Sequence, residues 1–332
     1  MMFILIECMV KIDLKDRKIL YELDLDARQS LTHIGKKVGL KKDVISYRIK
    51  RMQDEGIIKN FWTVIDAYKL GFIVFRFYIV FQYVTPEKKN EIIDYFVNYK
   101  NSWAVISAKG GGIDLALVLW VKDLRDFNQF WMKTLDKYGD YFAEKIFSAY
   151  LQAQAYRHSY LLLEDYKESE RLAYESVEVG KTIEIDELDR KILNEIALNA
   201  RIPLIDLAEK FDCSSQTINY RLNTLMKSGV IQGFRTTIDV SKLGFEHFKV
   251  DIYLKEHKQR EPIINYFKKN PYLIYLNTSA GFSDIEFEFV LENVDKLNLL
   301  MEEISSKFPN AIRKYTYFTT QQVHKIRFMP EL

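Results

Sequence analysis

The 332-residue chain has only two cysteines, Cys8 and Cys213, far apart and in different halves. Two such residues make neither a disulfide framework nor a thiolate metal site, and they suit a reducing compartment. The five histidines, His33, His158, His247, His257 and His324, show no metal-ligand spacing. No Cys-His or Ser-His-Asp arrangement stands out. The glycine run Gly110 to Gly112 lacks the following Lys-Ser/Thr of a phosphate loop. Met1 to Val10 is apolar apart from Glu7. It is too short to span a bilayer and has no basic leader or cleavage site. It reads as a buried N-terminal extension or an over-long start. These absences leave the expectation of a cytoplasmic protein with no membrane partner, no metal, no cofactor and no catalytic centre.

What is present is a globular composition, 48% hydrophobic and 28% charged, over a length that holds two or more domains. The stretch Asp13 to Phe72 occurs twice. Shifted by 173 positions it lies on Asp186 to Phe245 without a gap, and 25 of the 60 positions are identical. Asp16-Arg17-Lys18-Ile19-Leu20 returns as Asp189-Arg190-Lys191-Ile192-Leu193, and Lys69-Leu70-Gly71-Phe72 returns as Lys242-Leu243-Gly244-Phe245. A repeat at half the chain length marks a duplicated unit.

Each unit opens with three helical signals. In the first they are Asp13 to Leu23, Leu31 to Val38 and Lys42 to Glu55, stopped by Gly56. The second repeats them as Asp186 to Leu198, Leu204 to Phe211 and Ser214 to Ser228. After the strand-like hinges Ile57 to Ile65 and Val230 to Ile238, each unit reads β-α-β-β-α-β, the ferredoxin-like pattern. The fold class is therefore α+β, two copies of a helix-turn-helix domain followed by a ferredoxin-like domain. The expected domains are 11–60, 61–163, 184–233 and 234–332, with a charged, solvated helix or linker over 164–183.

The third helix of a helix-turn-helix can enter the DNA major groove. In the first copy Lys41, Lys42, Ser46, Tyr47, Arg48, Lys50 and Arg51 surround it. Over 11–59 there are 13 basic and 8 acidic residues, a balance of +5. Such a surface suits phosphate neutralisation, as against an ordinary solvated basic face. The second copy has 6 basic and 8 acidic residues over 184–233, a balance of −2. It carries Ser214, Ser215, Gln216, Thr217, Asn219, Arg221 and Asn223, which either read base edges or belong to a scaffold without DNA affinity.

The two units resemble the Lrp/AsnC family of feast/famine transcription regulators. The family opening is matched by Asp13 to Leu20 and, more fully, by Ile185 to Leu193. Asp26-Ala27-Arg28 and Asn199-Ala200-Arg201 match the next motif. Cys213 to Leu222 fits the recognition helix, as does Leu40 to Ile49, which departs from it at Lys41 and Val44. The resemblance implies a DNA-binding transcription regulator that is not an enzyme. It implies double-stranded DNA, an amino-acid-like effector and further copies of the unit as partners. The family's Gly-x-x-Asp turn stands as Gly111 to Asp114 and Gly281 to Asp284. Gly111, Asp114, Gly281 and Asp284 are either ligand-binding residues or parts of a tight β-turn. The regulatory halves pair within the chain or swap with a second chain. Two rivals remain: a regulator that has lost DNA binding, and a decarboxylase acting on modified tetrapyrroles. Against the second, Trp103 to Val121 contains no His or Arg.

Overall fold

The computed structural model describes residues 11–163, 171–177 and 181–330. The expected N-terminal extension, 1–10, lies outside them. The first unit runs α1 (Leu14–Leu25), α2 (Leu31–Val38), α3 (Lys42–Asp54) and β1 (Ile58–Ile65). It continues with β2 (Ile73–Phe81), α4 (Pro86–Asn98), β3 (Ser102–Lys109), β4 (Leu115–Val121), α5 (Leu124–Tyr138) and β5 (Phe142–Tyr156). Next comes β6 (Leu172–Val177). The second unit runs α6 (Glu187–Leu198), α7 (Leu204–Lys210), α8 (Ser215–Lys227), β7 (Ile231–Ile238), β8 (Glu246–Leu254), α9 (Arg260–Phe267), β9 (Leu273–Ala280), β10 (Ile285–Leu291), α10 (Val294–Lys307) and β11 (Ile312–Ile326). No described helix is long and apolar enough to cross a membrane.

One correction concerns the segment between the units. The solvated helix or linker expected there contains strand β6, which pairs antiparallel with the end of β5. Its run Leu-Ala-Tyr-Glu-Ser-Val has no period of two, so the strand has no local signature and depends on β5 as its partner. Residues 164–170 and 178–180 lie outside the described set.

Local chemistry explains the helix starts. Asp13 and Asp16 cap α1 reciprocally, each carboxylate accepting the other's backbone N–H, and Asp186 and Asp189 do the same for α6. Ser214 Oγ accepts the Thr217 N–H at the start of α8, whereas Lys41 gives α3 no side-chain cap.

The two helix-turn-helix units share one core. Ile19, Leu20, Leu23, Ile45 and Ile49 pack in the same cluster as Ile192, Leu193, Ile196, Ile218 and Leu222. The strands β1 and β7 pair antiparallel, with Trp62 opposite Arg235. These are the same repeat position, 173 apart, so the pseudo-twofold axis passes between them. Across that axis Arg28 donates to the carbonyls of Ala200 (2.6 Å) and Ile202, and Arg201 donates to those of Ala27 and Gln29. Each guanidinium also lies over a phenyl ring of the opposite copy, Arg28 over Phe234 and Arg201 over Phe61. The Ala-Arg motif thus braces each copy against the other.

The ferredoxin-like halves join at their edges. The order is β2-β4-β3-β11-β8-β10-β9-β5, and the β2–β5 pairing closes these strands into a ring, with β6 added beside β5. The long strands make the closure. The first half of β5 pairs with β2 and its second half with β9. Likewise β11 pairs with β8 and then with β3. Period-2 alternation then gives each strand an outer and an inner face. Outward, Phe75, Phe77 and Ile79 pack with Ile92, Phe96, Phe130 and Trp131 of α4 and α5. Phe248, Val250, Ile252, Phe287 and Phe289 do the same against α9 and α10. The alternate residues face the lumen of the ring.

Candidate functional site

The lumen holds a cluster of buried charged side chains contributed unequally by the two copies. Arg76 in β2 and Lys249 in β8 occupy the same repeat position, as do Tyr78 and Asp251. Arg76 forms a forked pair with Glu286 of β10, with Nη2 2.7 Å from Oε1. Its nitrogens also donate to Ser148 Oγ (2.8 Å) and Tyr150 OH (3.3 Å). The guanidinium lies 4.7, 5.1 and 5.3 Å from the ring centres of Tyr78, Tyr150 and Phe282. Lys249 Nζ donates to Glu286 Oε2 (3.1 Å) and Asp251 Oδ1 (2.7 Å). Beside them His247 Nε2 is 3.0 Å from Glu288 Oε2, and Asn277 donates to Glu288 Oε1. Arg76, Lys249, Asp251 and Glu286 are all at most 4% exposed.

Charges so deeply buried hold only if paired and hydrogen-bonded. Burial pushes the Glu286 carboxyl up, but Lys249 and Arg76 together outweigh it and hold it at about 2. Glu288 is lowered as well, its burial outweighed by His247. Asp251 moves the other way. Burial raises its pKa, and the nearby Glu286 charge adds to the rise, against Lys249 and Arg76. Two polar atoms here have no partner, Asp251 Oδ2 and Tyr78 OH.

The asymmetry is in the sequence of the strands. On the first copy the lumen-facing residues of β4 include Ala116 and Val118, where β10 has Glu286 and Glu288. None of these residues is among the site residues expected from the sequence. The signal was legible: Arg76 inside Ile-Val-Phe-Arg-Phe-Tyr, Lys249 and Asp251 two apart, and Glu286 and Glu288 two apart. Charges on every second residue of an otherwise apolar strand mark an inner, polar face.

The residues expected to meet DNA lie on α3 and α8. Lys41, Lys42, Ser46, Tyr47, Lys50, Ser214, Ser215, Gln216, Asn219 and Asn223 are exposed, and Arg48, Arg51, Thr217 and Arg221 are half-buried. The arginines turn back onto the caps of the first helices. Arg48 is 2.8 Å from both Asp13 and Asp16, Arg51 is 2.6 Å from Asp16, and Arg221 is 2.6 Å from Asp186.

The two Gly-x-x-Asp turns sit at equivalent places on the ring. Asp114 accepts the Phe81 N–H (2.8 Å) and Asp284 the Leu254 N–H (2.6 Å), so both carboxylates tie the turn to a neighbouring strand end. A Cβ on Gly111 would lie 2.5 Å from the Tyr317 carbonyl oxygen, and one on Gly281 3.3 Å from that of Phe147. Each turn thus presses on the other copy's last strand. Phe282, in the second turn, lies against Tyr78 and Arg76.

Comparison with known proteins follows the duplication. A family model described as winged helix-turn-helix DNA-binding matches residues 12–59 and 185–232. An uncharacterised HTH-type transcriptional regulator of Pyrococcus furiosus is 30% identical over 128 residues, 39% of this chain and 82% of that protein. The regulatory protein AsnC of Haemophilus influenzae is 29% identical over 118 residues, 35% of this chain and 79% of that protein. Such relatives correspond to one unit. The siroheme decarboxylase NirDL matches the doubled architecture. It covers 94% of this chain and 92% of its own, with a TM-score of 0.62 at 12% identity, and 0.63 in its complex with an iron-uroporphyrin III analogue. The expectation of a regulator that is not an enzyme is corrected by this match, because the chain over both units shares its fold with a protein described as an enzyme, while the helix-turn-helix relatives, which support double-stranded DNA as a partner, match one unit at a time. The family itself stands on the sequence relatives and the repeated motifs: the chain belongs to the Lrp/AsnC family, with the family's unit present twice.

Proposed function

We propose that this protein is an enzyme that removes carboxyl groups, as CO2, from a siroheme-type tetrapyrrole. The observation that carries this reading is the end-to-end match of the doubled chain to the siroheme decarboxylase NirDL, against the single-unit match of the regulators. The unequal lumen supports it. A ring of two identical units presents every group twice, as suits a sensor with two equivalent sites. Here the cations at equivalent positions, Arg76 and Lys249, face acids that come from the second copy alone.

The residues present suit the chemistry. Decarboxylation breaks a carbon–carbon bond, releases CO2 and puts a proton on the carbon left behind. It therefore asks for cations that orient carboxylates and for a group that supplies a proton. Glu286 illustrates the first requirement, since Arg76 and Lys249 hold its carboxylate between them. A substrate carboxylate has the same geometry and charge, and Arg76 offers it a forked donor. In this reading the helix-turn-helix pair serves as a braced scaffold that fixes the two halves of the ring.

The test is direct. Purified protein is incubated with siroheme, and the pigment is followed by mass spectrometry for stepwise loss of CO2. Arg76→Met should slow that loss by about 100-fold, the scale of removing one charge-stabilising donor. Siroheme recovered unchanged, together with no spectral change on adding iron-uroporphyrin III, would sink the reading.

A further inference from the structure

The lumen contains two buried polar atoms without a hydrogen-bond partner, and their residues occupy the same repeat position on facing strands. Tyr78 lies in β2 and Asp251 in β8, each 1% exposed. Asp251 uses Oδ1 for Lys249 and for the Ser283 hydroxyl, leaving Oδ2 without a donor. Tyr78 OH is likewise unpaired, with Phe282 and Phe318 edge-on to its ring. Burial raises the pKa of the Tyr78 phenol, and the nearby Asp251 carboxylate adds to the rise, against Arg76. Leaving a buried polar group unpaired costs about 1–3 kcal/mol, so two at one level of the ring call for a reason.

We propose that Tyr78 and Asp251 form a proton-donating subsite that takes one carboxylated arm of the tetrapyrrole, with Asp251 Oδ2 supplying the proton that replaces CO2. This rests on the decarboxylase reading above. Among the lumen acids the choice is determined by surroundings. Glu286 is held ionised by Arg76, Lys249 and Ser279, and Glu288 by His247 and Asn277. Asp251 has Lys249 on one oxygen only, and Arg76, Glu286, Tyr78 and Tyr253 are the other charged or titratable groups about it. Burial, with the Glu286 charge, raises its pKa against Lys249 and Arg76, the direction a donor needs. Tyr78 OH would hold the arm by a hydrogen bond. The step balances without an oxidant or reductant. The bond between the arm and its carboxyl carbon breaks, CO2 leaves, and the electron pair stays on the arm's carbon. That carbon takes the proton from Asp251 Oδ2, and solvent returns a proton to the carboxylate.

The test uses the full chain and Asp251→Asn, which keeps shape and loses the acid. Iron-uroporphyrin III binding, read from its absorption, should stay within about threefold, while siroheme decarboxylation falls at least about 100-fold, the usual contribution of a general acid. An infrared pH titration of the unmodified protein should show a carboxyl band that protonates above the usual carboxylate range and that Asp251→Asn removes. Tyr78→Phe should lose about tenfold in turnover, the worth of one hydrogen bond, and keep the band. Turnover in Asp251→Asn at the unmodified rate, or no band lost, overturns the proposal while leaving the decarboxylase reading intact. Unmodified protein that neither binds the pigment nor releases CO2 overturns both. Should Asp251→Asn fail to fold, Asp251→Glu replaces it, with retained band and partial turnover expected and full loss of both counting against the donor role.

Discussion

Asp24 of the first copy and Arg235 of the second form a buried ion pair, Nε to Oδ1 2.8 Å, that has no counterpart across the pseudo-twofold axis. The repeat-equivalent positions hold Ala197 and Trp62, and Trp62 stacks on Phe328 instead. Two first copies paired with each other would bury two carboxylates without cations. Two second copies would set Arg235 against Arg235 at the axis. The pair therefore favours the unlike pairing that one chain supplies.

Asp24→Ala leaves Arg235 buried with only the Tyr156 carbonyl to receive it. The expected loss is about 3–5 kcal/mol in urea unfolding, because the uncompensated charge stays inside. Asp24→Ala with Arg235→Leu should recover most of it. Losses that simply add in the double variant would show that the two residues act independently.

His158 gives the fold an acid-sensitive window. Burial first, and Arg235 with it, lowers its pKa to about 4, although Asp24 pulls the other way. Between pH 6.5 and 4 the unfolded chain binds a proton that the folded chain does not, so stability falls as pH drops through that range. The full change is on the order of 3 kcal/mol. Asp24 is lowered too, its burial outweighed by Arg235, so its contribution is present above the usual carboxylate value of about 3.9 and is lost only at lower pH. His158→Gln should flatten the stability profile from pH 6.5 to 4 and leave the steeper acid limb in place. A slope unchanged by the substitution would assign it to another group.

The turn glycines should rank by what lies beside them. Gly111→Ala meets the Tyr317 carbonyl at 2.5 Å on a backbone with φ of 67°, and should cost more than about 2 kcal/mol. Gly112→Ala has a similar φ of 69° but open space, and should cost about 1 kcal/mol. Urea midpoints measure both. Equal losses would mean that the ring yields at Tyr317.

Arg48 and Arg221 anchor the third helices to the first. Arg48→Ala deprives the buried Asp16 of one partner and should lower stability by about 1 kcal/mol. Arg221→Ala should cost less, because Asp186 is half exposed and Asp189 keeps some water. Thermal melting of both variants settles the order, and a larger loss at Arg221 would contradict it.

The elements were legible because their signals are local. Asp13, Ser214 and Gly56 punctuate helices, and the alternation in β2 or β10 shows a strand with two unlike faces. The ring was not legible. Nothing near β5 says that its second half pairs with β9, with partners from Ala149 and Ala280 to Ala155 and Tyr275. The lumen cluster was half legible. Its charges stood at every second position, but their meeting depends on that long-range closure. The basic residues of the third helices are the more conspicuous signal, but Arg48 and Arg221 hold the caps of their own units. Absence of His and Arg from 103–121 says nothing of the lumen, because Arg76 and His247 reach it from β2 and β8.

Closure of the ring also sets a timetable for synthesis. When the first unit has left the ribosome, the free edge of β3 and the second half of β5 still lack their neighbours. Those neighbours, β9 and β11, come from the second half of the second unit, and Thr319 must find Lys109 across some 210 residues of chain. Pairings so distant in sequence form slowly, because loop closure precedes their reward. The nascent chain thus carries two open strand edges through the translation of its second half, and the completed ring removes both at once.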